Sequence, residues 1–157
     1  MKIHGLEYFM SENQKIIVDA CCHVKDAHIK GRPIIGKSAC GVIIINSNGE
    51  EFEFSKYLGE KTPPQAEFEG LVFALDKASE VLNRNKNIDV WMDSELVIKW
   101  MNKEYKLHQD HIKPIYDEAN LKAQRFINVQ YFHHPRTTQH AQRADKLAKA
   151  EFDKYNK

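Results

Sequence analysis

The sequence predicts an α/β domain built on a five-stranded mixed sheet, its elements in the order β-β-β-α-β-α-β-α with the helices packed on the sheet. Three observations carry this reading. Three strand-like runs follow one another early in the chain with short connections, which makes an antiparallel meander. Helical and strand periods then alternate to the end of the chain. Between them, the run NIDVWMDSELVIKWM passes from a period of two to a helical period within one stretch.

Residues 15–24, KIIVDACCHV, alternate Ile17, Asp19, Cys21 and His23 against Ile16, Val18, Ala20, Cys22 and Val24, the period of a strand. A loop over 25–37 gathers Lys25, Lys30, Arg32 and Lys37 around Gly31, Pro33 and Gly36, basic enough to meet phosphates. Residues 39–46, ACGVIIIN, are rich in β-branched side chains. Ser47, Asn48 and Gly49 supply a hairpin turn. The chain returns over 50–58 with Phe52, Phe54 and Lys56 alternating against Glu51, Glu53, Ser55 and Tyr57.

Pro63 and Pro64 open a helix over 64–83, since proline is tolerated in a first turn. Its inward arc is Phe68, Leu71, Val72, Leu75, Ala78 and Leu82. In 87–101, Ile88, Val90 and Met92 alternate with Asp89, Trp91 and Asp93. Ser94 then caps a helix on which Leu96, Val97, Trp100 and Met101 recur at helical spacing. A second helical piece runs over 105–123, with Pro114 near its start and Ile115, Ala119 and Leu121 or Lys122 one turn apart. Residues 126–133, FINVQYFH, make the fifth strand, and 134–137 a loop. The last helix, 138–155, has Ala141, Ala144, Leu147, Ala148, Phe152 and Tyr155 as its inner stripe.

A length of 157 residues with 42% hydrophobic content suits one domain with one core. Residues 1–14 read as an N-terminal extension and 15–157 as the folded domain. No apolar run approaches the roughly 20 residues that span a bilayer. The opening MKIHGLEYFMSENQ carries Glu7 where a signal peptide would be apolar, so the expected location is the cytoplasm. Cys21, Cys22 and Cys40 show no CxxC spacing, which argues against a disulfide framework or a zinc knuckle. A net charge of +1 is not that of a protein gripping a polyanion over its whole surface. If one binds, a local basic patch or a metal must supply the positive charge.

Four acids stand out against this background. Asp19 lies mid-strand among apolar neighbours, and a buried carboxylate needs a metal, a donor or an open cleft. Glu67 falls within the inward arc of its helix, whereas Glu69 falls opposite. Asp93 ends its strand, at the edge where α/β sheets bind ligands, and can cap the helix, bind a metal or act as a base. Asp145 lies beside Ala144 and Ala148 at the margin of the last stripe. Each alone has a structural explanation. Together they would repel and raise one another's pKa values unless a cation joined them. Hard oxygen donors without a histidine–cysteine set favour Mg²⁺ or Mn²⁺ over zinc. Two such ions about 4 Å apart would clamp the attacking and leaving oxygens of a phosphodiester.

The acids sit in four motifs in order: IIVDA at Asp19, TPPQAEFEGLVFAL at Glu67, VWMDSELVIKWMN at Asp93 and RADKLAKAE at Asp145. By this set, over nearly all of 15–155, the chain resembles type-1 ribonuclease H in a compact form without the long basic handle. No separate hybrid-binding domain is expected from this reading. The resemblance implies a ribonuclease H-like fold and an Asp-Glu-Asp-Asp site for two metal ions. It also implies endonucleolytic hydrolysis of the RNA strand of RNA–DNA hybrids, leaving a 3′-hydroxyl and a 5′-phosphate, by a protein expected to be a monomer. On that reading Asp19 bridges both ions, Glu67 and Asp93 hold the first and Asp145 the second. RNA would be recognised by its 2′-hydroxyls across the minor groove.

Three departures bear on substrate choice. Pro63 and Pro64 stand where relatives carry an asparagine pair that reads the minor groove, which leaves Thr62 as the candidate substrate-binding residue. Ala20 replaces the usual glycine after the first aspartate. Pro135 stands where relatives have a mobile histidine, so His134 or His140 would have to substitute, against the plainer reading of each as a solvated loop residue. The alternatives are a nuclease of the same superfamily acting on DNA or double-stranded RNA, and a non-catalytic nucleic-acid-binding domain. Four intact acids argue against the latter.

Overall fold

The computed structural model describes residues 13–24, 34–106, 109–134 and 138–156. The expected N-terminal extension up to residue 12, positions 25–33 of the basic loop, and Pro135, Arg136 and Thr137 lie outside the described residues.

The meander forms as its alternation predicts. Strands β1 (Gln14–Val24), β2 (Gly36–Ile45) and β3 (Glu51–Lys61) pair antiparallel in sequence. Asn46 builds the hairpin between β2 and β3: its Oδ1 accepts from the amides of Asn48 and Glu50 at 3.0 and 2.9 Å. Gly49 completes the turn at φ 83°, a left-handed conformation that glycine adopts without steric penalty. Strand β4 (Ile88–Met92) then joins β1 in parallel, and β5 (Val129–His133) joins β4 in parallel, so the order is β3-β2-β1-β4-β5.

Helix α1 (Pro63–Val81), α2 (Glu95–Met101) and α3 (Lys113–Ala123) cover one face, and α4 (Gln139–Tyr155) covers the other. The larger core lies under the first three. Ile16, Val18, Val42, Ile44, Ile88, Val90 and Met92 meet Phe68, Leu71 and Leu75 there, all buried. Each such side chain taken from water contributes about 1.5–3 kcal/mol. Under α4 a smaller cluster gathers Ile17, Ile43, Trp91 and Ala144. The alternation of β3 is resolved as expected. Its Phe54 meets Lys77 of α1, while Glu53, Ser55 and Tyr57 meet Arg143, Glu151 and Tyr155 of α4.

Strand β2 begins at Gly36, inside the expected loop, rather than at 39, and β3 runs to Lys61 rather than 58, because the two go on pairing past a bulge at Ser38 and Ala39. Two later boundaries also differ. Helix α3 begins at Lys113 rather than 105, because Pro114 belongs in a first turn and disfavours helix before it. Strand β5 begins at Val129 rather than 126, because Phe126 is buried in the main core instead of pairing in the sheet. In α3 it is Lys122, reaching Asp76 of α1, that faces inward, while Leu121 is 66% exposed. No helix among the described residues is long and apolar enough to cross a membrane.

Candidate active site

Register brings the first two acids together. The parallel pairing of β1 with β4 ends at Val18 opposite Met92. The next residues on the two strands are Asp19 and Asp93, so their carboxylates become neighbours at the carboxyl end of β4. Ser94 caps α2, its Oγ accepting from the Val97 amide at 3.4 Å. His133 steadies the turn, with Nε2 3.1 Å from the Asp93 carbonyl oxygen.

Two glycines bring the helices onto this point. A Cβ on Gly70 would lie 3.3 Å from both Cys40 Cβ and Val18 Cγ1, so α1 rests close on β1 and β2. Glu67, three residues earlier, reaches past the end of β4 to the same place. On the opposite face, Gly41 is the β2 register partner of Asp19. A Cβ there would come within 2.2 Å of the Ala144 carbonyl oxygen and 2.7 Å of Leu147 Cβ. The bare Gly41 backbone therefore lets α4 lie directly on the sheet and sets Asp145 beside Asp19.

Carboxylate oxygens of Asp19, Glu67 and Asp93 all lie within 4.8 Å of one another, each residue half-buried. Asp145 stands just outside that group. Its charge bears on Asp19, and its Oδ2 lies 2.8 Å from Nζ of Lys149. Burial, followed by the charges of Asp93 and Asp145, lifts the Asp19 carboxyl from 3.8 to about 8. Asp19, Asp93, Asp145, Lys149, His134 and Gln142 line a pocket of about 100 Å³. Three converging carboxylates, with neither histidine nor cysteine in the group, have the donor chemistry of a hard divalent cation such as Mg²⁺ or Mn²⁺. Thiol chemistry is disfavoured, since burial pushes Cys21 up to about 11 and Cys40 to about 12.

The remaining sequence candidates have other surroundings. Thr62 is the N-cap of α1 in a reciprocal capping box. Its hydroxyl accepts from the Gln65 amide at 3.3 Å and its amide donates to Gln65 Oε1 at 2.9 Å. Glu67 is the fifth residue of α1, beyond the first turn, so a favourable helix dipole does not account for it. Neither histidine is a solvated loop residue. His134 is 4% exposed, edge-on to Trp91, with Nδ1 3.2 Å from Thr138 Oγ1. His140 lies in the first turn of α4, its Nε2 3.3 Å from Glu51 Oε1 and directed to β3. Reading the sequence residue by residue misses Lys149 and Gly41. The first is signalled by its i,i+4 spacing from Asp145; the second has no local signal, because its role depends on a helix about a hundred residues away.

Structural comparison finds the same fold in solved enzymes. LC11-RNase H1, isolated from compost and solved in complex with an RNA/DNA hybrid, is 27% identical; the match covers 92% of this chain and 99% of that one, with a TM-score of 0.74. A second structure of LC11-RNase H1 aligns at 26% identity over 94% and 100% of the two chains, with a TM-score of 0.76. RNase H1 of the halophilic archaeon Halobacterium salinarum NRC-1 shares the fold at 23% identity, 90% and 98% coverage and a TM-score of 0.75. Among curated proteins, no sequence matches the chain. Residues 29–151 match the family model described as Reverse transcriptase-like. With that match over most of its length and a type-1 ribonuclease H fold throughout the described sheet and helices, the chain belongs to the reverse transcriptase-like family.

Proposed function

We propose that the protein is a divalent-metal-dependent endoribonuclease that hydrolyses the RNA strand of RNA–DNA hybrids, with Asp19, Glu67, Asp93 and Asp145 as its metal-holding and catalytic residues. The observation that carries this reading is the convergence of three carboxylates from β1, α1 and the end of β4 to within 4.8 Å, with a fourth, Asp145, lining the same pocket. Nothing in the packing of the core requires acids there. The likeness to LC11-RNase H1, which has been solved with a hybrid bound, supports the choice of substrate.

Asp19 is the member common to both sides, lining one pocket with Asp93 and Asp145 and feeling the charge of each. It would therefore bridge two Mg²⁺ or Mn²⁺ ions, with Glu67 and Asp93 completing one half and Asp145 the other. Bound ions would supply the positive charge that lets a phosphodiester approach four carboxylates, and would lower the barrier to in-line attack of water at phosphorus. The chain's own part is to hold the acids on rigid elements. Register fixes Asp19 and Asp93, a tightly seated helix fixes Glu67, and Gly41 fixes the distance to Asp145. Departure of the 3′-oxygen leaves a 5′-phosphate on the other fragment.

A second reading, a nuclease acting on DNA or double-stranded RNA, is favoured by one feature. Pro63 and Pro64 occupy the first turn of α1 and offer no side-chain donor to a minor groove, while the Thr62 hydroxyl oxygen accepts the cap bond of the helix. One assay separates the readings. Hybrid, double-stranded DNA and double-stranded RNA of one sequence are labelled and incubated with the protein in Mg²⁺, Mn²⁺ and EDTA. Cleavage confined to the RNA strand of the hybrid, and only with metal, is expected. Cutting of DNA alone would promote the second reading, and binding without cutting would refute both.

A further inference from the structure

A cavity of about 800 Å³ opens at the end of β1 opposite the acids. Its floor is the start of that strand, where Lys15 precedes Asp19 by about 13 Å of extended chain. One wall is the hairpin at 46–49, and the other is the connection at 85–87 between α1 and β4. The volume falls in the range of small-molecule sites, roughly 300–1,000 Å³, and the proposed hydrolysis makes no use of it.

Both walls are pinned in place. The Gln14 side chain, 1% exposed, donates from Nε2 to the Asn83 carbonyl oxygen at 2.9 Å and accepts from the Asn83 amide at 2.8 Å. Its backbone amide donates to the Asn87 carbonyl oxygen at 3.2 Å, which ties the 83–87 connection to β1. Across the cavity, Asn46 Oδ1 shapes the hairpin. Nζ of Lys86 then donates to Ser47 Oγ at 3.2 Å and joins one wall to the other.

The groups that build the cavity differ from those it offers. Lys15 is 8% exposed, donates to the Asn13 carbonyl oxygen at 3.0 Å and feels the charge of Asp89, its register partner on β4. Lys86, by contrast, is exposed and pairs with no acid among the described residues. On either side of it the side-chain amides of Asn85 and Asn87 make no hydrogen bond among them. No acid lines the cavity among the described residues. An ammonium beside a hydroxyl suits a phosphate group. A side-chain amide, donor and acceptor at once, suits the polar edge of a nucleobase.

We propose that this cavity is a second binding site, for a nucleoside phosphate, with the phosphate on Lys86 and Ser47 and the base against Asn85 and Asn87. The inference does not depend on the metal role of the four acids, which lie at the other end of β1.

An NMR titration of the ¹⁵N-labelled intact protein in EDTA, with AMP, adenosine and inorganic phosphate as probes, tests it. AMP is expected to bind with a Kd of about 1 mM or tighter and to move the amide signals of 46–49 and 85–87. Adenosine and phosphate should each bind about tenfold more weakly. Lys86→Glu, at an exposed position, should weaken AMP by about tenfold or more, the scale of a hydrogen bond to a charged group. Lys86→Arg should retain AMP, and Asp93→Asn should bind it as wild type does. A 5′-phosphorylated DNA trimer that moves the same signals would extend the site to the end of a strand; one that does not would restrict it to free nucleotides, and either accords with the proposal. Equal AMP affinity in wild type and Lys86→Glu would overturn it, as would adenosine binding as tightly as AMP, signal changes confined to the surroundings of Asp19 and Asp93, or no binding of AMP. With neither metal nor hybrid present, such a failure leaves the proposed nuclease function standing, since that is read from cleavage alone.

Discussion

Asp93 follows the last paired residue of β4 and Asp19 follows its partner on β1, so two carboxylates meet for reasons of register alone. Their repulsion is a cost that the metal-free protein bears. Replacing Asp93 with Asn keeps the shape and removes one charge. We expect Asp93→Asn to lose Mg²⁺-dependent hybrid cleavage to background. In EDTA it should be as stable as wild type or more so, by up to about 1 kcal/mol, given that one pKa unit corresponds to about 1.4 kcal/mol. Cleavage gels and urea denaturation check the two halves, and normal turnover would remove Asp93 from the site. The pH dependence follows from Asp19, whose folded pKa is raised from 3.8 to about 8. Between these values the folded state binds more protons than the unfolded chain, so the stability from this group is complete at low pH and is lost as pH rises through about 8. In EDTA the urea midpoint should therefore fall from pH 5 to pH 8, and Asp19→Asn should flatten the slope. A midpoint that rises over that range in wild type and is unaffected by the substitution would contradict the argument. The inward direction of Asp19, Glu67 and Asp93 is legible in sequence, because strand and helix periods decide which way a side chain points. The burial of His134 is not, since it depends on Trp91 of another element lying beside it, whereas the pairing of Lys149 is marked by its i,i+4 spacing from Asp145.

Elements show the same division between local and distant causes. The meander, the buried arc of α1 and the capped start of α2 follow from periodicity, hairpin residues and Ser94, all readable over a few neighbours. The late start of α3 is a local effect of Pro114 that the helical pattern overran, and the short β5 follows from where Phe126 ends up in three dimensions. Gly41 is the sharpest case. Read in ACGVIII it is a weak point in a strand, yet it is the contact on which α4 rests, 2.2 Å from the Ala144 oxygen to the position a Cβ would take. Gly41→Ala must push α4 from the sheet. The expected cost is about 1–3 kcal/mol, the range for overpacking a tight interface. Because α4 carries Asp145, cleavage should fall further than the folded fraction does. Measuring unfolding and hybrid cleavage on the same preparation, well below the transition, separates the two. Activity that merely tracks the folded fraction would show that α4 does not set the Asp19–Asp145 distance.

At the scale of the whole molecule, the net charge of +1 conceals how the cations are used. Among the described residues many of them have acidic partners: Lys61 with Glu69, Lys99 with Glu95, Lys113 with Asp117, Lys122 and Arg125 with Asp76, Arg143 with Glu51, and Lys149 with Asp145. A nucleic acid approaching these cations must compete with their acidic partners, and four carboxylates at the proposed site oppose it. Affinity should then come from divalent ions at that site more than from a basic surface. The consequence is measurable as a salt dependence, because each phosphate neutralised by a lysine or arginine releases counterions. In EDTA, raising KCl from about 50 to about 200 mM should weaken hybrid binding by less than about a hundredfold, where proteins making six to ten phosphate contacts lose about 10³–10⁵. Fluorescence anisotropy with a labelled hybrid gives the slope directly. A loss of a thousandfold or more would mean that a cationic surface, rather than the metal site, holds the duplex.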